Sequence, residues 1–361
     1  MNREFETGSL EDITLLFFTK NRVEFMLRAL DYYNTYEEAH AITIIISDAS
    51  DEHLHLNLLN KINKKNYKFP LNLIHHQEKN TIDEKLEPYT YLRRLNDSMR
   101  MVKTKYILMG ADDDFYYFDW MRPAMNILEI DDQMGAVYGH ALKFTLDSFL
   151  PRGVIQGFEI GPEDNPPFRD YDDDDVAVRL ETISQDIWAS QSWYSLQKTS
   201  VLNHILTLAN KHGIDGNLFE YLVSFVHSVV YKSTKVDKIF IARQVDFIQR
   251  QPPLSYKRNT EEIKSFIAAC AEVLRIDHGF SYDESELLAL KAFSKNIEYS
   301  KIADRKEPLR KLKLLFPWLE KFANPMSRKI ARQRFSSHSR NLPSIKDAEQ
   351  ETLQIIPFIK Q

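Results

Sequence analysis

The stretch Tyr106-Ile107-Leu108-Met109-Gly110-Ala111-Asp112-Asp113-Asp114-Phe115 joins a short apolar run to three consecutive carboxylates. The run from Tyr106 to Met109 has the length and composition of a buried strand. Three adjacent acids repel one another, so at the end of such a strand they need a source of positive charge. A bound divalent cation is the commonest source, because hard cations take oxygen ligands. The alternative is a solvated acidic turn, for which aspartate is equally suitable, and this stretch alone does not decide between the two.

Strand and helix patterns alternate along the chain before these acids. Ile13–Phe18 and Ala41–Ile46 are continuous apolar runs, typical of strands buried on both faces of a parallel sheet, and Leu71–His75 predicts a third strand. Apolar residues at helical spacing predict helices after Arg22 and before Tyr106. This alternation indicates right-handed crossovers and a mostly parallel sheet with helices on both faces, an α/β fold. In such folds ligands bind at the carboxyl ends of the strands, which is where the three acids lie.

The overall composition restricts the possible functions. With 361 residues, the chain is long enough for one large domain and an appendage. The net charge of −5 disfavours nucleic acid as a partner. The single cysteine, Cys270, cannot form an internal disulfide and fits a reducing compartment. No glycine-rich phosphate loop occurs, which disfavours hydride transfer and P-loop chemistry. Residues 1–12 lack the pattern of a signal peptide and no apolar run is long enough for a membrane span, so we expect a cytoplasmic protein.

Four features in a fixed order carry a resemblance to a known family. They are Phe18-Thr19-Lys20-Asn21-Arg22, Ile46-Ser47-Asp48-Ala49-Ser50, Asn96 followed by Tyr106-Ile107-Leu108, and the triple aspartate. Together they make residues 13 to about 250 resemble a GT-A type glycosyltransferase (a Rossmann-like fold) of the large family-2-like group. Thr104-Lys105-Tyr106 followed by Asp112-Asp113-Asp114-Phe115 is particularly similar to one bacterial subgroup.

The resemblance implies a reaction and a role for each matching residue. A sugar would pass from a nucleotide-diphosphate donor, with a UDP-sugar favoured, to a hydroxyl of a saccharide or lipid-linked acceptor with inversion, in bacterial polysaccharide biosynthesis. The residues expected to bind the nucleotide sugar are Thr19, Asn21, Arg22, Asp48, Arg94, Asp112, Asp113 and Arg243. Mn²⁺ or Mg²⁺ would be held within Asp112, Asp113 and Asp114. Read literally, Asp112 and Asp114 form the Asp-x-Asp pair, whereas counting from Tyr106 makes Asp113 the usual ligand, and we expect Asp113 to be the most damaging to lose.

The acceptor half is less sharply defined. Glu220 matches the position of the family's catalytic base, although the usual neighbouring aspartate is missing and a carboxylate in the first turn of a helix is favourable in any case. Asp186 and Asp215 are the alternatives. Trp193 and Tyr194 are expected to border the acceptor, since aromatic rings suit sugars, but Trp193 could equally be a core residue. Arg243 suits a diphosphate, with an ordinary ion pair as the alternative.

The predicted organisation is a GT-A domain at 1–253 and a helical region at 254–361. The domain divides into a nucleotide-sugar-binding half (13–118) and an acceptor and catalytic half (119–253), with Asp172–Asp175 as a solvated acidic loop. Residues 301–340 carry twelve Lys or Arg against three acids. This amphipathic segment either contacts an anionic membrane, which would place the protein at the inner face, or packs on the domain.

Two other functions compete with the glycosyltransferase. A sugar nucleotidyltransferase also uses acids and Mg²⁺, but it usually carries a glycine-rich loop that Thr19-Lys20-Asn21-Arg22 does not provide. A glycosyltransferase-like binding module without turnover would keep the same fold, and the intact acids argue against it.

Overall fold

The computed structural model describes residues 8–76, 91–147, 150–161, 170–184, 189–245, 260–293 and 345–360. In the first half of the chain, strands and helices alternate as the sequence predicts. The elements are β1 (Ile13–Thr19), α1 (Val23–Tyr33), β2 (Thr43–Asp48), α2 (Glu52–Lys64), β3 (Leu71–His75), α3 (Tyr91–Met99) and β4 (Tyr106–Ala111).

The second half mixes strands and helices in a less regular order. Its elements are β5 (Asp114–Tyr116), α4 (Met121–Ile130), β6 (Met134–Leu146), β7 (Ile155–Gly161), α5 (Val176–Ser184), β8 (Leu196–Lys198), α6 (Thr199–His212), α7 (Asn217–Phe225), a π-helical turn (Val226–Val230) and β9 (Lys232–Gln244). Helices α8 (Thr260–His278), α9 (282–293) and α10 (Ile345–Ile359) follow.

Within the described residues the strands form one mixed sheet in the order β3-β2-β1-β4-β8-β6-β9-β5, with β7 paired to β6. Strands β1 to β4 are parallel to their neighbours, whereas β8 joins β4 and β6 in antiparallel fashion. Strand β9 runs parallel to β6 and antiparallel to β5. The predicted α/β fold class, with a parallel half and helices on both faces, is confirmed.

Both faces of the parallel half are buried, which explains its continuous apolar runs. Along β1, Leu15 and Phe17 belong to the core on one face, which also includes residues of α1 and α4. Leu16 points to the other face, where α3, α6, α7 and α8 pack. Gly110 of β4 is required by close packing, since a Cβ there would lie 2.7 Å from the Phe17 ring.

The register brings three loops to one edge of the sheet. Phe18 of β1 is opposite Ala111 of β4, and Thr19 is opposite Asp48 of β2. Residues 19–22, 48–51 and 112–113 therefore leave the sheet side by side, at the carboxyl ends of parallel strands.

The C-terminal helices pack on this sheet. Phe266 and Leu274 of α8 are buried in the same core as α6 and α7. Ile355 and Ile359 of α10 are fully buried in the core that contains Phe17, so the last helix contributes to the core of the predicted N-terminal domain. The basic segment 301–340 lies outside the described residues. In the described part of the chain, no helix combines the length and apolarity needed to cross a membrane.

Candidate functional site

The acidic turn between β4 and β5 is held by an arginine from the end of β1. Asp112 is almost completely buried. Its Oδ2 accepts a hydrogen bond from Thr19 Oγ1 at 2.6 Å, and its Oδ1 lies 2.5 Å from Arg22 Nη1. Arg22 Nη2 donates to Asp113 Oδ2 at 3.0 Å. Burial, together with the neighbouring Asp113 charge, raises the pKa of Asp112 to about 7, against the attraction of Arg22.

A second arginine lies buried beneath the turn. Arg28 Nη2 donates to the Asp113 carbonyl at 3.3 Å, and Nη1 donates to Gln244 Oε1 at 2.8 Å and to the Pro151 carbonyl at 2.5 Å. Its guanidinium also lies 4.9 Å from the centre of the Phe115 ring. Burial lowers the pKa of Arg28 to about 10, although the three nearby carboxylates oppose that shift. The group therefore stays charged at neutral pH and supports the backbone of the turn.

A third arginine reaches the turn from β9. Asp114 is opposite Arg243 in the β5–β9 ladder, and Arg243 Nε lies 3.5 Å from Asp114 Oδ2. Arg243 Nη2 donates to Tyr194 Oη at 2.9 Å, with the guanidinium 4.1 Å from the centre of that ring. We call these six residues, three aspartates and three arginines, the arginine–aspartate cluster: Asp112, Asp113, Asp114, Arg22, Arg28 and Arg243.

The cluster changes how the three adjacent acids are explained. Their charge is compensated by guanidinium groups that sequence spacing does not reveal, so a metal ion is not required to keep them in place. Among the described residues, no group of three or more His, Cys, Asp or Glu side chains could hold a metal ion.

Two of the aspartates nevertheless suit a divalent cation. Asp112 and Asp113 share one positive group, the Arg22 guanidinium, which stands where a cation between two carboxylates would stand. Mg²⁺ is commonly held by only one or two carboxylates, with phosphate oxygens and water completing its shell. Asp114 pairs with Arg243 instead, which fits a supporting role better than that of a ligand.

Asp48 sits at the expected strand end, but its carboxylate is occupied. It is fully buried, with Oδ1 accepting from the Ser50 amide at 2.8 Å and Oδ2 contacting His55 Nδ1 at 2.9 Å. The ring of His55 stacks on that of His75 at 3.7 Å. In this conformation Asp48 orders the loop after β2, and both histidines have structural contacts.

Asn21 and Arg94 tie the ends of β1 and β2 together. Asn21 has φ 58°, in the left-handed region that asparagine tolerates, and its side chain exchanges two hydrogen bonds with Asp51. Arg94 is buried and donates to the carbonyls of Thr19 and Ser47. Both side chains therefore order the loops after β1 and β2, including the loop that carries Arg22.

Tyr91 joins the donor-side loops to the region predicted for the acceptor. Its ring lies 4.6 Å from that of Phe18 and 5.7 Å from that of Trp193. Burial, followed by the nearby charge of Glu220, raises the pKa of Tyr91 well above its usual value. Glu220 itself lies in the first turn of α7 and is half-buried. Sequence reasoning missed Tyr91, as it missed Arg28, because neither lies in a motif.

The other predicted acceptor-side residues are placed as follows. Trp193 is buried and packs edge-to-face on Phe219, which fits the core alternative. Tyr194 is half-buried, and the Arg243 guanidinium packs on its ring in a cation–π contact. Asp215 Oδ1 accepts from the amides of Leu92 and Gly216, so it caps the start of α3. Asp186 lies outside the described residues.

The acidic run Asp172–Asp175 is exposed, as expected of a solvated loop. Its carboxylates have local structural partners. Asp175 accepts from the Ala177 amide at the start of α5, and Asp174 pairs with Lys232. These contacts explain the run without a second metal site.

Comparison with known proteins gives a distant structural likeness. No family model matches the sequence, and no curated protein matches it. One similar solved structure is S. aureus TarS, with 12% identity, a TM-score of 0.38 and coverage of 81% of this chain. This chain spans 55% of that protein's length.

Structures of TarS 1–349 with UDP and with UDP-GlcNAc are also similar, with identities of 12% and 11% and TM-scores of 0.37 and 0.36. Each alignment covers 82% of this chain and 91% of the other. At these TM-scores and identities the likeness is no argument for a shared reaction or ligand. The fold assignment rests on the order and direction of the strands themselves.

Proposed function

We propose that this chain is a glycosyltransferase that uses a nucleotide-diphosphate sugar. The observation that carries the proposal is the convergence of Thr19, Arg22, Asp112 and Asp113 at the carboxyl edge of the parallel strands, which is the usual ligand position in such sheets. The substrates would be a nucleotide sugar, with a UDP-sugar as the first candidate, and a hydroxyl of a saccharide or a lipid-linked saccharide.

The arginines of the cluster provide the chemistry that a diphosphate requires. Guanidinium forks bind paired phosphate oxygens in a bidentate manner, and Arg22 and Arg243 are the partly exposed members of the set. Asp112 and Asp113 would hold Mn²⁺ or Mg²⁺. Neutralisation of the leaving diphosphate is the chemistry that such an ion supplies when it is bound. Asn21, Asp48 and Arg94 would act by ordering the loops around the nucleoside.

Glu220 would serve as general base on the acceptor side. Its carboxylate would accept the proton of the acceptor hydroxyl while the hydroxyl oxygen forms a bond to the anomeric carbon. The bond from that carbon to the diphosphate oxygen breaks on the opposite face, so the configuration inverts. A positioned base typically contributes about 10²–10⁴-fold. Trp193 and Tyr91, which are both packed at this border, would shape the pocket.

Cellular location is part of the proposal. The chain would work in the cytoplasm in polysaccharide biosynthesis, and residues 301–340 could bring it to an anionic membrane surface by their positive charge. A binding module without turnover remains the second candidate, because the internal pairing of the acids would also suit a site that holds a nucleotide without transferring its sugar.

Thermal stabilisation is the first test. Wild type and Asp113→Ala are compared with a panel of nucleoside diphosphates and nucleotide sugars, each with and without Mn²⁺. We expect a metal-dependent rise in Tm for one nucleotide in the wild type, lost in the variant. No rise with any nucleotide would contradict the proposal.

The variant Glu220→Gln tests whether the protein is an enzyme or a binding module. We expect the same nucleotide-dependent Tm rise as in the wild type, with donor hydrolysis and transfer reduced by about 10²-fold or more. Full activity in Glu220→Gln would remove this residue from the role of base. A wild type that binds nucleotide sugar but never releases nucleoside diphosphate would favour the binding module.

A further inference from the structure

We propose that Arg22 is an internal cation that occupies the Asp112–Asp113 pair, and that it must leave this pair before a divalent cation can bind. The inference deepens the proposed function and rests on it, because it concerns how the same site is regulated. In this scheme cation binding is coupled to the arrival of the diphosphate, which gives the displaced guanidinium a new partner.

The first support is the geometry of the guanidinium. Arg22 Nη1 lies 2.5 Å from Asp112 Oδ1, and Nη2 lies 3.0 Å from Asp113 Oδ2. One planar fork thus bridges two different carboxylates, as a shared cation would. Two positive groups cannot occupy that position together, so arginine and metal compete for the same oxygens.

The second support is that the acids are fixed while the arginine is the exposed member. The side chain of Arg22 is 29% exposed, against 2% for Asp112 and 15% for Asp113. Asp112 is anchored by Thr19 through its other oxygen. The backbone of Asp113 is anchored by the buried Arg28. Of the three side chains, Arg22 can therefore reorient with the least disruption of the surrounding structure.

The third support is an aromatic ring that contacts the guanidinium at the same time as the acids. The Arg22 guanidinium lies 4.0 Å from the centre of the Phe25 ring, in the first turn of α1. This cation–π contact does not involve a carboxylate, so it can hold the guanidinium when the acids release it. The preceding residue, Asn21, is fixed by hydrogen bonds to Ser50 and Asp51. The movement can thus be limited to side-chain torsions of Arg22.

Charge explains the coupling to the diphosphate. The cluster contains three guanidinium groups and three carboxylates, so a divalent ion alone would add uncompensated positive charge next to Arg22. A diphosphate supplies negative charge to both the ion and the displaced guanidinium. Cation and nucleotide are therefore expected to bind together tightly and separately weakly.

The test is Mn²⁺ binding to the intact protein, measured by electron paramagnetic resonance without nucleotide. Arg22→Gln removes the competing charge, and we expect it to bind Mn²⁺ about tenfold more tightly than the wild type, as befits removal of a like charge at hydrogen-bond distance. With UDP present, the wild type should gain Mn²⁺ affinity strongly and Arg22→Gln should gain less. Arg22→Lys keeps the charge without the fork and should lie between the two.

Two further variants control for charge and for the site. Lys61→Gln makes the same change in net charge at an exposed pair with Glu24, and it should leave Mn²⁺ affinity unchanged. Asp113→Asn should abolish Mn²⁺ binding in the Arg22→Gln background. Melting curves of each variant verify folding, and Arg22→Lys keeps the comparison available if Arg22→Gln is unstable.

The outcomes separate this inference from the proposed function. Equal Mn²⁺ affinity in wild type and Arg22→Gln, with binding lost in Asp113→Asn, would overturn the role of Arg22 and leave the metal site in place. Absence of Mn²⁺ binding in every variant, even with UDP, would overturn the inference and the metal dependence together. UDP binding without Mn²⁺ in that case would leave a metal-independent donor site.

Discussion

The charged residues at the strand ends interact mainly with polar and charged partners inside the protein. Asp48 has the position of a ligand-binding residue, but its first partner is the amide two residues later, a turn that aspartate forms readily. The pattern Asp48-Ala49-Ser50 contained that information. Arg22 and Arg243 were named by the family resemblance, but Arg28 had no such signal, because it is 85 residues from Asp113 and reaches the turn only through the folded sheet.

His227 provides a pH prediction at the residue scale. It lies fully buried in the π-helical turn, and neither ring nitrogen has a hydrogen-bond partner within the described part of the chain. Burial lowers the pKa of His227 from 6.5 to about 3. Between these values the unfolded chain binds the proton and the folded protein does not, so stability is lost as pH falls below 6.5.

We expect the free energy of unfolding to lose up to about 1.4 kcal/mol per pH unit from this residue across that window. His227→Leu should flatten the acid side of the stability profile, measured by urea unfolding between pH 4 and pH 7. His53→Leu, at an exposed position of α2, is the matched control and should keep the wild-type slope. An unchanged slope in His227→Leu would show that the buried ring does not titrate in this way.

At the scale of secondary-structure elements, helix α10 is linked to the acidic turn through a short chain of contacts. The Gly153 amide donates to the Ile359 carbonyl at 2.9 Å. Two residues earlier, the Pro151 carbonyl accepts from Arg28, whose other nitrogen donates to the Asp113 carbonyl. The end of the chain therefore supports the loop that holds the buried arginine in place.

Ile359→Ala tests this link. Ile359 is fully buried, and removing such a side chain typically costs about 2–5 kcal/mol. We expect that loss in urea unfolding and, in addition, weaker stabilisation by UDP and Mn²⁺, because the loss of side-chain packing loosens the helix end whose main-chain carbonyl holds the loop carrying Pro151. Leu353→Ala on the same helix, where the side chain is 66% exposed, should change neither quantity. Normal ligand stabilisation in Ile359→Ala would separate the helix from the site.

At the scale of the whole molecule, the parallel half of the sheet was predictable from the sequence. The way in which β8 and the C-terminal helix complete the fold was not. Strands buried on both faces produce continuous apolar runs, so β1, β2 and β4 are visible in the sequence. The short strand β8, three residues long, joins the two halves of the sheet. A strand of this length is too short to show the alternation of apolar and polar residues that predicts a strand. The packing of α10 on α1 depends on contacts across most of the chain length, which local patterns do not contain.

The packing of the C-terminal helices leads to a last prediction about where the domain ends. The sequence places a boundary near residue 253, yet α8 and α10 supply buried residues to the two cores that cover the sheet, among them Phe266, Leu274, Ile355 and Ile359. A chain cut after residue 253 would expose these apolar faces to water, at roughly 25 cal/mol per Å² of lost burial. We therefore expect residues 1–253 to lose cooperative unfolding or to aggregate, whereas the full chain unfolds in a single transition. Differential scanning calorimetry of the two forms decides the question, and a fragment 1–253 that melts cooperatively at the wild-type temperature would establish an independent domain.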